Sequence, residues 1–409
     1  MPEYQKVVCR ARRFRFLIWH ISGNRKGIFM AAGVKARINC VAFLIGELNL
    51  GGAQQQLSLL ARELRRSGVA VHVLLLSRGG PHESTLRDAG VHVHHLGFTR
   101  KPSPPVALVR NLRAFARMVS LLRRLKPEVL HALLYESYVI GPPAARLARV
   151  PVVVAGRRNQ SSLLKQRPRW VHALERVATG ITDHVVANAA ALAEDARTVE
   201  RVPVRKLSVI RNGLSDSAFQ AVLPENIDTT LPVVLCLSRL GPAKGHRFLL
   251  EAASLLSRQG LPVTLVLVGD GPERDDLESR ARALAVDVRF LGDRRDVAGF
   301  LARADMVVLP SESEGLNNSV MEAMAAGRPV IATSVGGTPE LLEDRGILVP
   351  PADPAALAEG ITLLVENPEL AAALGVAARA WARKNLCLDV MVDDHIKLYQ
   401  RLLENRCAG

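Results

Sequence analysis

Short runs of aliphatic and β-branched residues alternate along the chain with longer stretches in which apolar residues recur every three or four positions. A compact apolar run bounded by turns reads as a buried strand, and the wider spacing reads as one face of a helix. Strands are therefore predicted at 38–45, 69–76, 128–133, 150–155 and 184–187, with helices over 54–67 and 105–125. The first helix places Leu57, Leu60, Ala61 and Leu64 on one side. The pattern restarts at Pro232, with strands at 233–238, 263–268, 288–291, 306–310 and 330–333. Helices fall between them at 246–259, 275–284, 296–303, 319–326 and 339–342. Alternation of this kind builds parallel sheets covered by helices on both faces. The predicted fold is α/β, two Rossmann-like doubly wound domains facing across a cleft, with ligands at the carboxyl ends of the strands.

The turn-forming Asn212-Gly213 and the polar run 224–230 separate the halves. The organisation expected is a basic N-terminal extension at 1–36, a first domain at 37–215, a second at 216–388 and an amphipathic closing segment at 389–409. Composition fits: 409 residues, 48% hydrophobic and 23% charged, suit two globular domains and exclude a disordered chain. No apolar run reaches the ~18 residues of a membrane span.

The formal net charge of +15 changes the picture, because such a balance favours phosphate-bearing partners: nucleic acid, anionic lipid or a phosphorylated substrate. Nucleic acid is not expected, since no RNA-recognition, zinc-finger or helix-turn-helix signature accompanies the charge. Much of it precedes residue 40, where Lys6, Arg10, Arg12, Arg13, Arg15, Arg25, Lys26, Lys35 and Arg37 face a single acid, Glu3. Residues 1–35 read either as a disordered extension ahead of a start at Met30 or as a basic anchor on a membrane surface. A second basic segment carries Arg110, Arg113, Arg117, Arg123, Arg124 and Lys126 among Leu112, Phe115, Met118, Val119 and Leu122. It reads as an interfacial helix or as a surface helix whose apolar face covers the sheet. Cys9, Cys40, Cys236, Cys387 and Cys407 form no metal or redox pattern, which suits a reducing cytoplasm and predicts no metal site.

The richest stretch is 311–322, SESEGLNNSVME, which follows an apolar strand and opens a helix. Backbone N–H groups of Gly315, Leu316, Asn317 and Asn318 would point into the cleft, where a helix N-terminus attracts phosphate. Glu314 in the loop and Glu322 in the helix are suited to accept hydrogen bonds from hydroxyls. Ser319 and Glu322 also fit a capping box, which would account for Glu322 alone. A comparable loop, Ser238-Arg239-Leu-Gly-Pro-Ala-Lys244-Gly245, offers a bidentate fork and a point charge, the pairing a diphosphate needs. Solvated surface cations are the plainer reading. Gly269 and Gly271 in Gly-Asp-Gly-Pro let backbone approach a ligand, or make a simple tight turn. Gly51 and Gly52 between the first strand and its helix do the same in the other half. Neither loop is GxGxxG, and no acid ends the second strand, so a nicotinamide dinucleotide is not expected.

Taken together, Gly51-Gly-Ala53 before a helix, Val209-Ile-Arg-Asn-Gly213, Ser-Arg-x4-Lys-Gly, Gly-Asp-Gly-Pro, Glu-x7-Glu and Gly336-Gly-Thr-Pro-Glu340 occur in one order. In this the chain resembles the retaining family-four glycosyltransferases of GT-B fold (glycosyl transferases group 1) over residues 38–403. The resemblance implies a nucleotide-diphosphate sugar as donor and no metal or other cofactor; a glycan or lipid-linked acceptor is expected, and the basic character of the first half adds peripheral contact to an anionic membrane. The resemblance also implies that Arg239 and Lys244 bind the diphosphate, that Glu314 faces the transferred sugar and that Glu322 holds the ribose. Backbone at Leu291 and Gly292 would meet the base, and the final helix would cross back to the first domain. The family often carries a His-x-His setting in its first domain. Here the second position is Leu133, leaving His131 or Glu136 to stand in, or His131 as a structural residue. A nucleotide-sugar epimerase, or a catalytically silent nucleotide-sugar-binding subunit on the same fold, is the alternative. Loop shape at 49–56, 131–137, 156–168 and 314–318 would decide sugar and acceptor.

Overall fold

The computed structural model describes residues 38–99, 104–158, 169–294 and 296–407. The expected extension at 1–36 lies outside the described residues. In the first half β1 (Cys40–Ile45), β2 (Ala70–Leu75), β3 (His92–His95), β4 (Val129–Leu133), β5 (Val152–Arg157), β6 (His184–Ala187) and β7 (Leu207–Val209) form a parallel sheet. Its order is β3-β2-β1-β4-β5-β6-β7. The crossovers are α1 (Gly52–Arg66), α2 (His82–Asp88), α3 (Pro104–Leu125), α4 (Tyr135–Leu147), α5 (Arg169–Ile181) and α6 (Ala190–Thr198).

In the second half the strands are β8 (Val233–Leu237), β9 (Thr264–Val268), β10 (Val288–Phe290), β11 (Met306–Leu309), β12 (Val330–Thr333) and β13 (Ile347–Val349), in the order β10-β9-β8-β11-β12-β13. Around them lie α7 (His246–Arg258), α8 (Arg274–Ala283), α9 (Ala298–Arg303), α10 (Asn318–Ala325), α11 (Thr338–Leu342), α12 (Pro354–Glu366) and α13 (Pro368–Asn385), and α14 (Leu388–Cys407) follows them. Central strands such as β4, β8 and β9 are buried at every position, because helices cover both faces of a parallel sheet. That is why they read as unbroken apolar runs rather than as alternating ones.

Each sheet reverses its order once, at β1/β4 and at β8/β11, and at such a switch point the loops leaving the two strands splay apart to make a crevice. In the second half this brings the loop after β8 beside the loop after β11, since β8 and β11 are paired at Val234–Met306 and Leu235–Val307. The chain passes between halves twice, and the two passages touch. Leu214 N–H donates to Leu386 O at 2.7 Å, and Leu388 N–H donates to Leu214 O at 2.9 Å. Beyond that point α14 returns to the first half, burying Met391, Val392, Leu398 and Tyr399 in a core with Phe43 and Val154.

The structure adds elements that hydrophobic pattern did not predict. The edge strand β3 reads His92-Val-His-His and has little apolar character; β7 and β13 are three residues each. Pro142 and Pro143 read as breakers, yet they lie inside α4, which packs on β4 and α5. The amphipathic helix α3 turns Met118, Val119, Leu121 and Leu122 onto the sheet, as a covering helix does. Its first turns differ, for Val106, Leu108, Val109 and Leu112 are exposed. No single described helix is long and apolar enough to cross a membrane.

Candidate active site

Glu314 lies in the loop after β11, and one of its oxygens gathers three donors. Lys244 Nζ stands 2.5 Å from Glu314 Oε1, Ser311 Oγ 2.8 Å and Asn317 Nδ2 3.0 Å. Lys244 comes from the loop after β8, seventy positions away in sequence, and the switch point makes the meeting possible. The side chain of Glu314 is 11% exposed and that of Lys244 28%, so the pair is shielded but open to the cleft. Gly245 holds φ 67°, and a Cβ there would stand 2.0 Å from Pro310 O; glycine lets the two loops close on each other. Arg239, on the same loop as Lys244, is exposed and has no hydrogen-bond or ion-pair partner among the described residues. One cation of the expected pair is thus engaged with Glu314, and the other is available to an anion.

The helix after this loop begins differently from the expected capping box. Its N-cap is Asn317, whose side chain accepts from Ser319 N–H at 2.9 Å and Val320 N–H at 3.3 Å. Ser319 sits inside the helix, and Glu322 is a full turn from the start, too far to bond the cap. Glu322 instead accepts from Gln55 Nε2 of α1 at 3.2 Å, across the cleft. Burial raises the pKa of its carboxyl, and the Gln55 hydrogen bond partly offsets this. Leu316 is buried, and Gly315 abuts the carbonyl of Arg158, where a Cβ would stand 2.2 Å away.

The glycines of the neighbouring loops let backbone approach backbone closely. Cβ atoms at Gly269 and Gly271 would lie 2.1 Å from Ser238 O and 2.2 Å from Leu240 O. The close approach is to the loop after β8, which they brace through the bond from Leu240 N–H to Asp270 O at 3.1 Å. Gly292 (φ 66°) pairs with Gly269, and Leu291 N–H donates to Leu267 O, so these two extend the strand ends of β9 and β10.

From the first half, Gly51 is the N-cap of α1, extended and without a side chain to cap the helix. Gly52 O accepts from Asn318 Nδ2 at 3.3 Å. The starts of α1 and α10 therefore face each other, and their amide dipoles favour an anion between them. Glu340 on α11 makes a second link, accepting from Ala191 N–H at 2.8 Å and so capping α6 of the other half. Leu134, where β4 turns into α4, holds φ 68° and ψ 162°, a strained backbone for a leucine, at the mouth of the first-half crevice.

His131 does not join these groups. On β4 it shares a face with Val129 and Leu133, toward α14, and is 1% exposed. Its Nδ1 meets Tyr399 OH at 2.7 Å and its ring lies between Phe43 and His395. Burial, then the neighbouring His395 and Arg158, hold its pKa well below that of a free imidazole, so it is neutral. Glu136 stands in the first turn of α4. Sequence reasoning missed Gln55, Ser311, Asn317 as a cap, Asn212, Arg158 and His246. His246 Nε2 meets Ser238 Oγ at 2.8 Å under the Lys244 loop, and burial lowers its pKa to about 4.

Two family models match the chain: Glycosyl transferases group 1 over residues 231–367 and Glycosyl transferase 4-like domain over 51–213. The alpha-D-kanosaminyltransferase of Streptomyces kanamyceticus is 31% identical over 256 residues, which are 55% of this chain and 64% of that protein. A GDP-mannose-dependent alpha-(1-6)-phosphatidylinositol monomannoside mannosyltransferase of Mycolicibacterium smegmatis is 36% identical over 167 residues, 38% of this chain and 44% of that protein. The chain thus spans less than two thirds of the length of these curated relatives. The crystal structure of Anabaena HepE in complex with UDP superposes with a TM-score of 0.73 at 25% identity, covering 88% of this chain and 98% of that one. The fold is GT-B.

Proposed function

The chain belongs to the group 1 glycosyltransferases, and on that footing we propose that it moves a sugar from a nucleoside diphosphate to an acceptor hydroxyl with retention of configuration. The observation that carries this is the Lys244–Glu314 pair at the β8/β11 switch point, with Arg239 unpaired on the same loop. Arg239 forks onto the diphosphate, and Lys244 exchanges Glu314 for a phosphate oxygen as the donor enters. Glu314, still held by Ser311 and Asn317, then accepts from hydroxyls of the sugar. As the glycosidic bond breaks, negative charge grows on the departing diphosphate, where fixed cations and the starts of α1 and α10 stabilise it. Attack by the acceptor on the face the diphosphate leaves preserves the anomeric configuration. With these groups meeting the charge, turnover is expected to survive a chelator.

Support for the donor class comes from the UDP complex of HepE and the GDP-mannose dependence named for the mycolicibacterial relative. The test is a thermal-shift and donor-hydrolysis screen over UDP-, GDP-, ADP- and TDP-sugars with Glu314→Ala and Lys244→Ala beside the wild type. A donor that stabilises and is turned over by the wild type, and by neither variant, supports the proposal. Stabilisation without turnover over a broad acceptor panel would replace it with a silent binding subunit. A donor sugar altered without any acceptor would replace it with an epimerase.

The acceptor is proposed to lie at an anionic membrane. The first turns of α3 expose Val106 at 69%, Leu108 at 62% and Leu112 at 60%, and Arg110, Arg113 and Arg117 flank a hollow with Val106 and Val109. The helix carries no acid. This surface is nearer the start of the helix than the sequence pattern suggested, because Met118, Val119 and Leu122 are taken up by the core. Basic and apolar residues on one surface insert and pair with anionic headgroups. Co-sedimentation with phosphatidylglycerol vesicles that is lost in Leu108→Ser/Leu112→Ser supports this; equal binding to neutral vesicles sinks it.

A further inference from the structure

Gln55 stands in the first turn of α1 with both ends of its amide engaged across the cleft. Its Nε2 donates to Glu322 Oε1 at 3.2 Å, and its Oε1 accepts from Asn318 Nδ2 at 3.1 Å. Asn318 and Glu322 are four residues apart on α10, one above the other on the same face, so a single amide spans both. Asn318 is fixed in turn: its Oδ1 accepts from Asn212 Nδ2 at 2.7 Å, and Asn212 Oδ1 accepts from Arg158 Nη1 at 2.5 Å. A carboxylate only accepts, which sets the amide orientation along the whole chain of bonds.

We propose that Gln55 is a positioning residue for the donor nucleoside: it holds one oxygen of Glu322 so that the other is presented to the ribose hydroxyls. The inference rests on the donor reading above. Oε2 of Glu322 has no partner among the described residues and can accept from a ribose diol. A neutral amide suits this task better than a cation, because it orients the carboxylate without cancelling its charge. Burial works against ionisation of Glu322, and the amide N–H works for it. Since Gln55 and Glu322 belong to different halves, the bond forms only when the starts of α1 and α10 are close. Ribose recognition is thereby tied to cleft closure.

The test is calorimetric titration of the full chain with UDP, GDP and ADP and with their 2′,3′-dideoxy counterparts. Gln55→Met keeps length and helix propensity but removes both bonds, and Gln55→Ala removes the side chain. With the nucleotide that binds the wild type best, both variants are expected to bind about tenfold more weakly. The preference for ribose over dideoxyribose should fall from about tenfold to under about threefold, a change that loss of packing alone would not give. Wild-type binding that Gln55→Met leaves intact, or a ribose preference it leaves at full size, overturns the role of Gln55 and spares the donor reading. A wild type that binds none of the three overturns both.

Discussion

The two walls of the cleft are built from different materials. The second half presents charge on a rigid frame: Lys244, Ser311 and Asn317 converge on Glu314, and Gly245 and Gly269 weld the supporting loops together. The first half presents chiefly neutral groups, namely the bare start of α1, the carbonyl of Gly52 and the amide of Gln55, with the cation of Arg158 set behind them on Asn212. Its own ionisable centre, His131 with His395 and Tyr399, is sunk under α14. On the proposed donor reading, the contrast assigns the diphosphate to the charged wall and the neutral contacts to the wall opposite.

The largest expected effect comes from acid. His131 and His395 in the first half and His246 in the second are buried with lowered pKa values, near 4 for the last two. The unfolded chain therefore takes up protons first. Their contribution is complete above the ordinary value of 6.5 and is lost as pH falls below it. His395 and His246 should each remove roughly 2 kcal/mol of stability by pH 5, and because His72, His131 and His184 are lowered as well, the first half loses more than the second. Urea denaturation at pH 7.5, 6 and 5 measures this, and a stability independent of pH over that range would refute it.

Next in size is Glu314→Ala, expected to lower turnover by about 100-fold or more with little change in melting temperature. Arg239→Ala should weaken nucleoside diphosphate binding by about 10- to 100-fold, as loss of a charged hydrogen bond does. Because Arg239 is exposed and unpartnered, stability should stay within about 0.5 kcal/mol. Smallest in its effect on chemistry is Tyr399→Phe, which leaves His131 Nδ1 without its bond. It should cost about 1–3 kcal/mol of stability and leave donor turnover within twofold. A tenfold loss of turnover at unchanged stability would move His131 back into the chemistry and erase the contrast between the walls.

Much of the second wall could be read from sequence, because its groups lie in strand-to-helix loops whose local pattern marks them. Glu314 and Lys244 stand out that way, although their contact depends on the pairing of β8 with β11. The helix cap could not be chosen by composition alone: Asn317, Asn318 and Ser319 are all capable, and only geometry selects Asn317. Gln55 and Arg158 carry no signal, and Asn212 is marked only as part of a turn and a motif. They are neutral or cationic groups whose partners lie 54 to 267 positions away, in other elements. The parity of β4 decides His131, since successive strand residues point to opposite faces, and this one points to α14. The prolines of α4 run against local propensity, and tertiary packing keeps the helix they would otherwise break.

The return of α14 has a consequence for the order in which the protein is made. The first half precedes the second in synthesis, but Phe43 and Val154 lack Met391, Leu398 and Tyr399 until α14 has followed. The second half, whose core draws chiefly on residues 214–386, is complete before that moment. The half synthesised first thus draws part of its core from residues synthesised after the second half, and α14 is the piece that completes it.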